Sequence, residues 1–277
     1  MSEMSRHRLF GCLVVLLCCL AACVKQTELV ATPEAGKRYL KLCGYEFDQK
    51  SFFAAVAADD VVAINAFILS GVDINTRDPR DGRTALISAS ARGDKLVVKL
   101  LLDAQADVNA KDNSGYTALF HSIEARYDDV TDLLVAQPGL DLNARGKNDV
   151  TVLISFVWRD RADAVKALLA RGADVNLQDG DGDTALHGAA QTGNAEIATM
   201  LLLKGANPDV KNKVGGTPLM WAAVYGNEQV AQVLLKQNAD PTSKDVDGMT
   251  ALAWAEKNKR DKVADLLRDL KKADSHR

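Results

Sequence analysis

Apolar positions along this chain gather in short runs that return at a fixed interval. Val97-Val98-Lys99-Leu100-Leu101-Leu102 is one such run; Ile197-Ala198-Thr199-Met200-Leu201-Leu202 and Val230-Ala231-Gln232-Val233-Leu234-Leu235 repeat it. Upstream of a run stands a pair of small residues, Ala189-Ala190 or Ala222-Ala223, where neighbouring helices must approach closely. A polar turn, Thr192-Gly193-Asn194 or Tyr225-Gly226-Asn227, separates the two. The pattern predicts pairs of short helices, each with one apolar face.

A polar punctuation mark opens each pair. Gly-x-Thr-small-Leu appears at Gly82–Leu86, Gly115–Leu119, Gly182–Leu186, Gly215–Leu219 and Gly248–Leu252, with a degenerate copy at Asp149–Leu153. The threonines fall at 84, 117, 151, 184, 217 and 250, a step of 33 broken once by 34. Thr suits the N-cap of the first helix, and a small residue or Pro suits its first turn. A stretch such as Gly172-Ala173-Asp174-Val175-Asn176 closes the unit, and an Asp/Asn/Gly tip leads into the next. So strict a period means stacked units, because none can bury its apolar face alone.

These residues resemble the ankyrin repeat family, whose 33-residue unit carries Thr-Pro-Leu-His-x-Ala. Thr184-Ala185-Leu186-His187-Gly188-Ala189 is the nearest copy. The fold expected is all-α, an ankyrin solenoid of about seven helix-turn-helix units joined by β-hairpin loops, over residues 47–273. Phe52 to Asn75 reads as an N-terminal capping repeat without its Thr, and Val263 to Lys272 as a charged closing helix. The middle departs from the pattern. Ser122-Ile123 and Phe156-Val157 replace the small pair, Asp149 replaces the tip Gly, and Gln137-Pro138-Gly139 adds one residue. Phe156 cannot fill an Ala-sized gap without moving helices, so a local change of curvature is expected.

The N-terminus adds a location. Arg6-His7-Arg8 precedes an apolar stretch from Leu9 to Ala22, too short to span a bilayer, which reads as a cleavable export signal over residues 1–22. Leu20-Ala21-Ala22-Cys23 resembles a bacterial lipobox, in which Cys23 would be acylated. Several acyl chains on one Cys give stable anchoring. The expected place is the bacterial envelope, facing the periplasm and on the outer membrane. Residues 23–46 would form a tether, at full extension ~75–80 Å long, unless the apolar stretch Tyr39 to Tyr45 packs on the first repeat. Of five cysteines only Cys43 lies outside the signal and lipobox, and a small buried residue is expected there.

The chain carries −3; residues 1–22 hold Arg6, Arg8 and Glu3, net +1, so the remainder carries −4. A mildly acidic chain without a Lys/Arg cluster argues against nucleic acid. No catalytic constellation emerges and no cofactor is implied. His121 and His187 lack a partner nucleophile, and His187 stands at the repeat's own His position. Asp179-Gly180-Asp181-Gly182-Asp183 begins like a calcium loop but lacks Gly at the sixth position and Glu at the twelfth, which leaves a turn.

Function is therefore expected in binding another protein, by a monomer, through the concave face. The resemblance places recognition at the residue before each Thr and the two after each small pair. Arg92, Tyr116, Trp158, Arg159, Tyr225 and Met249 occupy such positions and are residue types common in interfaces. Trp221 and Trp254 are expected to pack between repeats. The favoured role is an adaptor supporting an envelope enzyme or stress defence. An immunity-type inhibitor of an imported toxin, and a groove enzyme or ligand receptor, are the alternatives.

Overall fold

The computed structural model describes residues 32–274, so Cys23 and the export segment lie outside the described residues. They form two compact units that divide after Asn113. The first holds α1 (Pro33–Leu42), α2 (Gln49–Ala57), α3 (Val61–Leu69), α4 (Ala85–Arg92) and α5 (Lys95–Asp103). The second holds α6 (Ala118–Ala125), α7 (Asp128–Val135), α8 (Val152–Trp158), α9 (Ala162–Ala170), α10 (Ala185–Thr192) and α11 (Ala195–Leu203). It continues with α12 (Pro218–Tyr225), α13 (Glu228–Lys236), α14 (Ala251–Lys257) and α15 (Asp261–Asp274). From α2 onward the helices pair into seven repeats, as the period requires.

The threonines do what their spacing predicts. Thr84, Thr117, Thr151, Thr217 and Thr250 each accept, through Oγ1, the backbone N–H three residues on, at 3.2–3.4 Å. Each such cap is worth ~1 kcal/mol. The small pairs Ala189-Ala190 and Ala222-Ala223 are fully buried. In the second unit α8, α10, α12 and α14 pack side by side as an inner layer, and α7, α9, α11, α13 and α15 as an outer one. Leu168, Leu201 and Leu234 make the outer layer's core with no exposure at all.

The tips are closed turns rather than strands. Asp179 N donates to Asp183 O, Asn212 N to Gly216 O and Asp245 N to Met249 O, at 2.9–3.1 Å. The same three side chains hold their turns: the Oδ1 atoms of Asp179, Asn212 and Asp245 each accept two backbone N–H groups. Consecutive tips are joined by one backbone bond each, Lys213 N to Asp181 O and Val246 N to Val214 O. Consecutive exits are joined too: Asp174 N donates to Asn143 Oδ1, Asn207 N to Asn176 Oδ1 and Asp240 N to Asp209 Oδ1, at 2.8–3.0 Å.

In the first unit, part of the expected tether is an extra helix. Thr32 caps α1, which lies on α3. Gly36 permits that approach: a Cβ there would stand 2.5 Å from Ser70 Oγ and 2.8 Å from Ala66 O. Leu40 is buried in the contact. Gly44, at φ +83°, then turns the chain: Gly44 N donates to Lys41 O and Tyr45 N to Leu40 O, an αL helix stop. Tyr45 and Phe47 then pack on Phe67, with ring centroids 6.0 Å apart in both cases. This corrects the expectation for Cys43. It sits at the C-cap and is exposed, because the turn delivers Tyr45, and not the thiol, to the apolar surface.

Candidate protein-binding face

The middle repeats depart from the stack on one side of α8 only. Towards α10 they pack closely, because Gly188 leaves room: a Cβ there would stand 3.1 Å from Trp158 Cδ1 and 3.2 Å from Val157 Cγ1. Towards α6 the helix stands off. Ser122, Ile123, Phe156 and Val157 are all buried, and Phe120 lies over Gly146, where a Cβ would meet its ring at 2.8 Å. The gap is a groove of about 490 Å³ lined by Tyr116, Phe120, Ile123, Glu124, Arg126, Lys147, Asn148, Val150, Ser155, Trp158 and Arg159. The bulk expected to shift the helices shows as this opening between α6 and α8.

The outer side of the same repeats is clamped. Arg161 bonds Asp128 at 2.6 Å, Asp132 at 2.8 Å and Asp163 at 2.9 Å, tying α7 to α9. Asp163's carboxyl is held at about 2 by the Arg161 hydrogen bond, which outweighs its partial burial. Arg171 adds bonds to Val135 O and to Gln137 O in the longer exit loop. The tip of this repeat carries Gly146 where Asp179, Asn212 and Asp245 stand in later ones. Without that carboxylate or amide, the chain turns through Asn148 and Asp149, both at positive φ. Arg145 donates to Asp149 O and Gln178 O, as Gln178 one repeat on donates to Gly182 O and Lys211 O.

Of the six residues singled out by position, Tyr116, Trp158 and Arg159 come together in this groove. Tyr116 meets Phe120 edge-on at 6.0 Å and His121 at 5.5 Å. Trp158 is 44% exposed. Tyr225 belongs to a separate patch: it stacks on Trp221 at 5.8 Å, and its hydroxyl accepts from Gln191 at 3.1 Å. Met249 is half-buried, with its backbone closing the Asp245 tip. Arg92 lies in the first unit and is engaged there, donating to Val56 O and Asp94 Oδ2 at 2.6 Å.

Two further tryptophans are half-buried. Trp254 is half-buried within its own repeat, donating through Nε1 to Asp245 Oδ2 at 2.7 Å, with Lys257 Nζ 4.4 Å from its ring. Trp221 is half-buried against Tyr225 of its own helix. Their place four residues after the Thr is also that of His121, which is half-buried, and of Gly188, which is buried against Trp158 and Val157 of the preceding repeat. Arg126 and Lys147 also line the groove, outside the positions considered. Arg126 stands, at φ +62°, where Gly193 and Gly226 end the equivalent helices.

His187 is a structural bridge. Thr184 N donates to Nδ1 at 3.1 Å, so Nδ1 accepts and the ring proton sits on Nε2, 3.1 Å from Gly216 O in the next repeat. Burial pulls its pKa down to about 4, against the opposing pull of the Gly216 bond. Asp183, 3.9 Å away, is pushed up, first by burial and then by Asp179 and Asp181, while Asn212's bond counters. Among the described residues no group of three or more His, Cys, Asp or Glu is placed to hold a metal ion. Nor is any described helix long and apolar enough to cross a membrane.

Capped helix pairs in two layers, with tips linked from one to the next, define a repeat scaffold for protein–protein interaction. The family description "Ankyrin repeats (3 copies)" matches four overlapping segments, residues 52–146, 133–212, 153–245 and 200–276. The chain belongs to the ankyrin repeat family. Among solved structures, an ankyrin repeat domain from Acinetobacter baumannii is 31% identical, with TM-score 0.63, over 70% of this chain and all of that one. The ankyrin repeat domain of Bcl-3, of the IkappaB protein family, is 29% identical, with TM-score 0.65, over 78% of this chain and 97% of its own. No curated protein matches the chain.

Proposed function

We propose that this chain is a lipid-anchored protein of a bacterial envelope, facing the periplasm, that binds a partner protein through the inner face of its second unit. It acts by binding rather than by catalysis, as an adaptor for an envelope enzyme or stress defence. The observation that carries the reading is the groove between α6 and α8, where Trp158 and Tyr116 offer aromatic surface over a buried Phe120 and Ile123. Aromatic and Arg anchors in such settings dominate interface energetics. The envelope placement rests on the apolar leader and Leu20-Ala21-Ala22-Cys23, and Cys23 would carry the lipid.

Two experiments test the two halves. A photo-crosslinker at position 158 should trap a discrete partner in the envelope fraction, and Trp158→Ala should weaken its binding by ~2 kcal/mol or more. Lys99→Ala, an exposed position on α5, should leave binding unchanged. Loss of binding with Lys99→Ala but not Trp158→Ala would move recognition off the groove. Cys23→Ser should abolish labelling by palmitate and release the protein from membranes. A variant that still fractionates wholly with membranes would end the lipobox reading.

A further inference from the structure

The walls of this groove carry charge that the fold does not use. Arg126, Lys147 and Arg159 line it, and none of their side chains makes a hydrogen bond or ion pair among the described residues. Two other arginines of the same repeats are committed, Arg145 to two carbonyls and Arg161 to three carboxylates. Three unengaged cations therefore face one unengaged carboxylate, Glu124, on a chain that is acidic as a whole. Uncompensated charge around an aromatic cleft raises the local concentration of oppositely charged ligands. The floor is apolar, with Phe120 and Ile123 almost wholly buried and Trp158 half open above them.

We infer that the groove takes an extended acidic peptide segment carrying one large apolar side chain. The inference rests on the protein-binding reading above and supplies its chemistry. Asp or Glu side chains of the segment meet Arg126, Lys147 and Arg159, and the apolar side chain packs between Tyr116 and Trp158. Glu124 sets the class of ligand. A nucleic-acid strand, with a charge on every nucleotide, would bring phosphate against this carboxylate, whereas a peptide can present a backbone N–H or a basic side chain there. The volume is of the size that encloses a small ligand or a few side chains.

The test is fluorescence anisotropy with rhodamine-labelled peptides and the full chain in detergent. The probe is a blocked Asp-Glu-Phe-Asp-Glu peptide, compared with Lys-Lys-Phe-Lys-Lys, Asp-Glu-Ala-Asp-Glu and a short oligothymidylate. The acidic phenylalanine peptide should bind, with affinity falling as salt rises. Replacing its Phe by Ala, or combining Lys147→Glu with Arg159→Glu in the protein, should each raise Kd about tenfold. Lys99→Glu, the same reversal of charge away from the groove, should change nothing, and circular dichroism should be unaltered in every variant. Equal or tighter binding of the lysine peptide or the oligonucleotide overturns the inference, and so does indifference to the double reversal. If the acidic peptide fails to bind at millimolar concentration while the Trp158-dependent crosslink persists, acidic recognition falls and the protein-binding reading stands. Loss of both removes both.

Discussion

The repeats built on α6 to α9 and those built on α10 to α13 share a period and a capping rule yet differ in how their layers close. In the later pair, Ala189-Ala190 and Ala222-Ala223 bring the inner helices together, and His187 reaches across to the next tip. In the earlier pair, Phe120 and Ile154 stand where the histidine would, Ser122-Ile123 and Phe156-Val157 replace the alanines, and the inner layer opens. The outer layer there stays shut because Arg161 and Arg171 tie it. Regularity serves as scaffold, and departure from it, restrained on the far side, makes a cleft.

The strongest blow to this comparison would come from the outer core. Leu168→Ala under the cleft and Leu201→Ala in the regular stack should each cost ~2–5 kcal/mol by denaturant unfolding. Similar losses confine the opening to the inner layer; a much smaller loss at 168 would mean that both layers have loosened.

Next comes acid. Between pH ~6.5 and ~4 the unfolded chain holds a proton on residue 187 that the folded chain refuses. His187's contribution is therefore complete above ~6.5, falls through that window and is gone below ~4, by up to about 3 kcal/mol. His187→Gln should flatten the wild-type decline in stability across that window. An unchanged slope would show that the ring titrates normally and bridges nothing.

Smaller effects sharpen the picture. Arg161→Ala should destabilise by only ~1 kcal/mol, less in high salt, since its three carboxylates are largely exposed. Gly188→Ala gains helix propensity of ~0.5–1 kcal/mol. Its methyl presses on the Trp158 ring, which is open enough to yield, and on the buried Val157, which must give by a few tenths of an ångström. The thermal midpoint should hold or rise while tryptophan emission shifts and partner binding weakens. A clear loss of stability would mean that Trp158 is fixed in place.

Local chemistry was legible in the sequence. A Thr with its small residue and Leu specifies a capped helix, and paired alanines specify close approach, so the repeats could be counted and phased. What depended on the choice between two neighbours was not legible. The bulk at Phe156 announced a disturbance, but only the room made by Gly188 decides that α8 leans towards α10 and away from α6. The exposure of Cys43 turns on one αL residue, Gly44, which hands the apolar contact to Tyr45. The bond from Trp254 to Asp245 was not legible either, because nothing in the spacing ties an indole N–H to a tip carboxylate nine residues back.

The bonds between successive exits have a consequence for how such a chain can change over generations. Asn143, Asn176 and Asp209 each accept from a backbone N–H thirty-one residues on, and any of them would serve any of those partners. Excising one whole period therefore rejoins an acceptor to an equivalent donor, and duplicating one inserts a matching pair. Gain or loss by recombination leaves this ladder chemically complete, so length becomes a trait that can vary while each junction stays the same.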